Sequence, residues 1–89
     1  MDGPTVGPPL VGRQPVPQAF VDAGDRPWPQ LEPVIRRALA SLVSGDVLEL
    51  VSGDPSTIMV VADWCTVEGY VLLNCVPGDE SVTYWIEKT

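Results

Sequence analysis

Histidine is missing from all 89 residues, and with it goes the side chain that most often serves as base, proton shuttle and metal ligand near neutral pH. Ser-His-Asp and Cys-His nucleophile pairs are therefore excluded, and a zinc site would have to be built from two cysteines and carboxylates. Those cysteines, Cys65 and Cys75, stand far outside Cys-x-x-Cys spacing, so neither a metal nor another cofactor is expected. Bases are scarce as well: five against twelve acids, for a net charge of −7. Nucleic-acid binding needs a cationic surface that displaces counterions, so that class is set aside. No apolar run is long enough to span a bilayer, no charged-then-apolar leader opens the chain, and Gly-rich phosphate loops are absent. A cytoplasmic protein without a membrane partner is the expectation, and in a reducing compartment both thiols should be unpaired.

What is present divides in two. Residues 1–17 hold Pro4, Pro8, Pro9, Pro15 and Pro17 among Gly3, Gly7 and Gly12, without apolar periodicity. This composition predicts a disordered tail. Residues 18–89 carry enough Val, Ile, Leu and aromatic side chains for a core, and constitute the single domain.

Within that domain the pattern alternates. Ala19-Phe20-Val21-Asp22 is a short β-prone run. Pro29 suits a first helical turn, since its missing N–H would go unpaired there. Leu31, Val34, Ile35, Ala38, Leu39 and Leu42 then recur at helical spacing, with Ser44-Gly45 as the stop. Glu32 and Arg36 form a favourable i,i+4 pair on the outer side. Val47 to Val51 reads as a central strand, and Asp54-Pro55 as the cap and first position of a second helix that Gly69 ends. On that helix Ile58, Val61, Ala62 and Cys65 form one apolar face, and Val60, Trp64 and Val67 a second where polar residues would be usual. Tyr70–Val76 and Ser81–Lys88 alternate around a Pro77-Gly78-Asp79-Glu80 turn, a hairpin. The order β-α-β-α-β-β predicts an α/β (α+β) two-layer sandwich, two helices on one face of a four-stranded mixed sheet.

Several short motifs occur in a fixed order from Gln18 to Lys88: Trp28-Pro29-Gln30-Leu31, Arg36-Arg37, Ser44-Gly45-Asp46, Asp54-Pro55-Ser56-Thr57, Asp63-Trp64-Cys65-Thr66 and Gly69-Tyr70-Val71-Leu72-Leu73. In this order they resemble the TusA/SirA family of small sulfur-relay proteins. That family has a Cys-Pro-x-Pro motif where this chain has Trp28, then a basic pair, an Asp-Pro-Ala/Ser-Thr helix start and an aromatic-Cys pair. The resemblance implies the same two-layer sandwich, shared with the C-terminal domain of the third bacterial translation initiation factor. It also implies protein partners in a relay running from a cysteine desulfurase to sulfur acceptors. Pairing Arg26-Pro27 with the family's Arg-Cys instead needs a one-residue insertion and still supplies no thiol.

The family cysteine is reactive because exposed N–H groups and the helix dipole stabilise a thiolate at a helix N-terminus. Trp28 cannot do this. The resemblance therefore points to a divergent, non-catalytic member, a monomeric protein-binding or accessory module. The alternative is an active sulfurtransferase using Cys65, the one weak catalytic candidate, which matches a second cysteine of the family. Against Cys65, its periodicity turns it to the sheet and it lies near a helix C-terminus. For binding, the candidates are Trp28 as a rigid anchor, the bases Arg26, Arg36 and Arg37 as a local positive spot, and Val60 and Trp64 as an extension of the apolar patch. The sequence leaves plainer roles open for the same residues: Trp28 filling space over the sheet edge, and the bases solvated or paired with Glu32 and Asp25.

Overall fold

The computed structural model describes residues 16–89. The tail expected over residues 1–17 lies outside the described residues, apart from its last two positions. Four strands and two helices follow in the order expected: β1 Ala19–Gly24, α1 Trp28–Ala40, β2 Val47–Ser52, α2 Ile58–Glu68, β3 Val71–Pro77 and β4 Val82–Glu87. The sheet order is β1-β2-β4-β3, with β1 parallel to β2 and both other pairs antiparallel. It is the two-layer α+β sandwich with a mixed sheet. No helix among the described residues is long and apolar enough to cross a membrane.

Strand alternation sorts the sheet into two faces. One cross-strand row runs Val21, Leu50, Tyr84, Cys75 and another Ala19, Leu48, Ile86, Leu72. These side chains meet Leu31, Ile35 and Leu39 of α1 and Val61 and Cys65 of α2 in one core. Burying each large aliphatic side chain contributes about 1.5–3 kcal/mol before chain entropy is counted. The intervening rows, Phe20-Glu49-Trp85-Asn74 and Asp22-Val51-Thr83-Val76, lie on the sheet face turned away from that core.

Local chemistry explains the boundaries. Pro27 is the N-cap of α1, extended at φ −70° and ψ 158°, and Pro29 occupies the first turn. Asp54 accepts a hydrogen bond from the Ser56 N–H (3.0 Å), which nucleates a single 3₁₀ turn, Pro55–Thr57, ahead of α2. Gly69 ends α2 in the left-handed region at φ 85°, where an L side chain is strained, and the Tyr70 N–H then reaches the Cys65 carbonyl at 2.9 Å. A buried hydroxyl pair, Thr57 Oγ1 and Tyr84 Oη at 2.6 Å, fastens this turn to β4. On the β3 rim, the register slips between Leu72 and Asn74, leaving Leu73 as a bulge, and Asn74 Oδ1 accepts the Cys75 N–H at 2.8 Å.

Three local expectations are corrected. Helix α1 stops at Ala40, capped by Ser41, not at Ser44-Gly45. Gly45 instead takes its positive φ in the following turn, where its N–H donates to the Lys88 carbonyl at 2.7 Å. On α2 only Val61 and Cys65 are buried; Ile58 and Ala62 face outward. Val67 is 80% exposed and takes no part in a stripe with Val60 and Trp64.

Candidate functional site

Trp28 begins α1 at the point where the chain leaves the β1 turn, and its ring meets that of Trp64 edge-on, centroids 5.8 Å apart. Trp64 also packs on Tyr70, 5.6 Å away. Each such aromatic pair contributes about 0.5–1.5 kcal/mol beyond its buried area. Above Trp64 lies the Arg36 guanidinium, 5.9 Å from the ring centroid. Below it, the indole N–H donates to Glu32 Oε2 at 3.1 Å. The result is an aromatic row, Trp28-Trp64-Tyr70, bridging the C-terminal half of α2 to the start of α1.

Arg36 closes this row electrostatically. Its Nε donates to Glu32 Oε2 at 2.8 Å, and its two terminal nitrogens engage Glu68 at 2.8 and 3.1 Å. The hydrogen bonds that Arg36 donates, to Glu68 first and to Glu32 second, raise its pKa further above its ordinary value. The Arg36 hydrogen bonds in turn hold the Glu68 carboxyl below the usual carboxylate range. The charge of Arg36 is therefore largely answered within the fold. Arg26, in the turn before α1, and Arg37 are exposed and make no ion pair among the described residues.

Of the residues that the sequence singles out, Trp28, Arg36 and Trp64 come together. Val60 is partly buried one turn before Trp64. Tyr70, Glu32 and Glu68 complete the cluster without having been named as site residues. The Glu32–Arg36 spacing is a usable signal for one of them; Glu68 could have been suspected only from its position one turn beyond Trp64.

The thiols sit elsewhere. Cys65 is 1% exposed on the core side of α2, and burial pushes its thiol up to about 11. Cys75, in register with Tyr84, is partly buried and its thiol is also raised by burial. Both are free. At the start of α1 the N–H supply is thin: Pro27 and Pro29 have none, and the Gln30 and Leu31 amides donate to the Pro27 carbonyl at 3.0 and 3.1 Å. Among the described residues no three His, Cys, Asp or Glu side chains converge as metal ligands. A hollow of about 190 Å³ beside the N-terminal end of α2 is lined by Ser52, Gly53, Pro55 and the hairpin turn with Asp79 and Glu80. It holds neither thiol and no base.

No protein-family model matches the chain. Among curated proteins the chain is similar to the sulfur carrier protein TusA of Buchnera aphidicola subsp. Baizongia pistaciae. Of 60 aligned residues 32% are identical, covering 65% of this chain and 76% of that protein. A shared sequence over three quarters of that relative, on a β-α-β-α-β-β sandwich, leads to one conclusion: the chain belongs to the TusA-like family.

Proposed function

We propose that the chain serves a sulfur relay as a non-catalytic, partner-binding module, offering another protein of the pathway the Trp28 side of its helices in place of a persulfide. The observation that carries this reading is Trp28 itself. It stands where the resemblance sets the family's persulfide cysteine, and it is packed against Trp64 at 5.8 Å. An indole neither ionises nor holds sulfur. Cys65 is a poor substitute, because a thiol at 1% exposure is out of reach of a donor and stays protonated at neutral pH. A half-buried tryptophan flanked by two prolines loses little freedom on binding, which suits an anchor. Arg26 and Arg37, outward and without ion pairs among the described residues, supply charge for an acidic partner surface, and Val60 and Trp64 extend the apolar side. The module works as a monomer in the cytoplasm.

The test has two parts. The full chain is treated with a cysteine desulfurase and cysteine, then analysed by intact mass under non-reducing conditions. No sulfur adduct is expected; a labile sulfur on Cys65 that disappears in Cys65→Ser would establish the carrier alternative instead. Pull-downs then compare wild type with Trp28→Ala. The variant is expected to lose a partner, and equal recovery of every partner disposes of the Trp28 surface.

A further inference from the structure

The hollow beside the C-terminal end of β2 belongs neither to the aromatic row nor to the thiols. Backbone bonds fix its walls: the Gly53 N–H donates to the Gly24 carbonyl and the Gly78 N–H to the Ser81 carbonyl, each at 2.7 Å. Pro55 and Val82 line it with carbon, and Asp79 and Glu80 stand in its hairpin wall. Asp25 brings a third carboxylate to its edge, because Asp25 Oδ1 lies 2.7 Å from where a Cβ on Gly53 would be. Asp54, beside them, spends its Oδ1 on the Ser56 N–H and hydroxyl, at 3.0 and 2.8 Å. The carboxylates of Asp25, Asp79 and Glu80 make no ion pair among the described residues, unlike Glu32 and Glu68 around Arg36.

We infer that this hollow receives the side chain of an arginine or lysine that a partner protein presents, its alkyl stem against Pro55 and Val82 and its charged head towards Asp25, Asp79 and Glu80. Size comes first. About 190 Å³ falls short of the roughly 300 Å³ at which pockets begin to hold a drug-sized ligand, so the hollow suits one side chain. Chemistry comes second. A long basic side chain lays its methylenes on apolar surface and keeps its head at the water's edge, which an apolar wall with an acidic rim matches. Carboxylates around a hollow also focus the field on an entering cation. A metal is the wrong cation, since among the described residues no three such ligands converge. A second copy is the wrong donor of the base, because two chains of net charge −7 repel each other. The inference takes nothing from the Trp28 reading, and either can fail while the other stands.

The probe is a blocked glycine peptide with one central arginine, titrated into ¹⁵N-labelled full-length protein at low salt. Its control carries citrulline, which keeps the shape of arginine without the charge. The Gly53 and Gly78 amide signals report the hollow, and the Trp28 indole signal reports the aromatic row. Saturable movement of both glycine signals with the arginine probe alone is expected, in the millimolar range and weaker as salt rises. Glu80→Gln should lower affinity roughly two- to fivefold, and Asp79→Asn combined with Glu80→Gln should abolish saturation. Asp63→Asn, which removes a charge from the exposed side of α2, should leave affinity unchanged. Glycine signals that never saturate, an equal response to citrulline, or equal weakening by Asp63→Asn would overturn the inference. Tighter binding of free arginine than of the peptide would do so too, by making the hollow a small-molecule site. So would a dimer that Glu80→Gln dissociates, or movement of the same signals in Arg13→Gln without probe, which would give the hollow to the chain's own base.

Discussion

Arg36 on α1 and Glu68 on α2 face each other in a two-pronged ion pair, 2.8 and 3.1 Å, across a sequence separation of 32 residues. It is the tie that holds the C-terminal end of α2 over the aromatic row. A planar guanidinium meets a carboxylate with two parallel bonds, which a lysine cannot reproduce. Both partners keep contact with water, so the pair positions more than it stabilises. Arg36→Lys is expected to lower the melting temperature slightly, less so at high salt, and to broaden the Trp64 indole signal. An unchanged Trp64 signal would show that the pair does not position the ring.

The same pair sets an acid limit. The Glu68 pKa is lowered in the folded chain by Arg36, so its contribution is fully present above the ordinary glutamate value of about 4.3 and is lost as pH falls through the depressed folded value. Thermal melts of wild type and Glu68→Gln should differ at pH 6–7 and converge towards pH 3. A gap that widens in acid would contradict this sign.

The Thr57–Tyr84 hydroxyl pair is buried at 0% and 1% exposure. Thr57 Oγ1 donates to the Asp54 carbonyl at 2.8 Å, so it accepts from Tyr84. Thr57→Val strands the Tyr84 hydroxyl and should cost about 1–3 kcal/mol, whereas Tyr84→Phe removes the hydroxyl altogether and should cost about 1 kcal/mol. Urea unfolding measures both, and the reverse order would refute the donor assignment. Burial also raises the Tyr84 pKa. Stability from its neutral form therefore holds below about pH 10 and falls as pH rises through the folded value.

Thiol chemistry gives a sharp kinetic expectation. With the Cys65 thiol pushed up to about 11, its thiolate fraction at pH 8 is roughly two orders of magnitude below that of a free cysteine. Native alkylation followed by peptide mass analysis should modify Cys75 first, with Cys65 reacting only on unfolding. Rapid native labelling of Cys65 would reopen the carrier alternative.

Trp28→Ala removes the edge contact with Trp64 and is expected to cost about 1–3 kcal/mol while leaving the fold intact. Near-ultraviolet circular dichroism should lose part of its aromatic signal. A variant as stable as wild type would mean that the ring serves only an external partner.

The sequence made the fold legible because the α1 stripe and the strand alternations repeat regularly: Leu31, Ile35 and Leu39 are buried where the spacing put them. Helix α2 was less readable. Ile58, Met59, Val60, Val61, Ala62 and Val67 make it apolar nearly all round, so periodicity could not choose a face, and the sheet chose Val61 and Cys65. The site was half legible. Trp28, Trp64 and Arg36 drew notice as unusual residues for their places, and the i,i+4 spacing exposed Glu32. Glu68 and Tyr70 join them through packing of elements distant in sequence, which no local pattern encodes.

One small feature of the β3 rim bears on how the protein behaves when concentrated. With Leu73 bulged out and the Cys75 amide already occupied by the Asn74 side chain, a neighbouring molecule finds no continuous ladder to extend along that rim. Crowded or overproduced chains should stay dispersed instead of growing into fibres from this edge. Straightening the rim by deleting Leu73 is the change that would invite such growth.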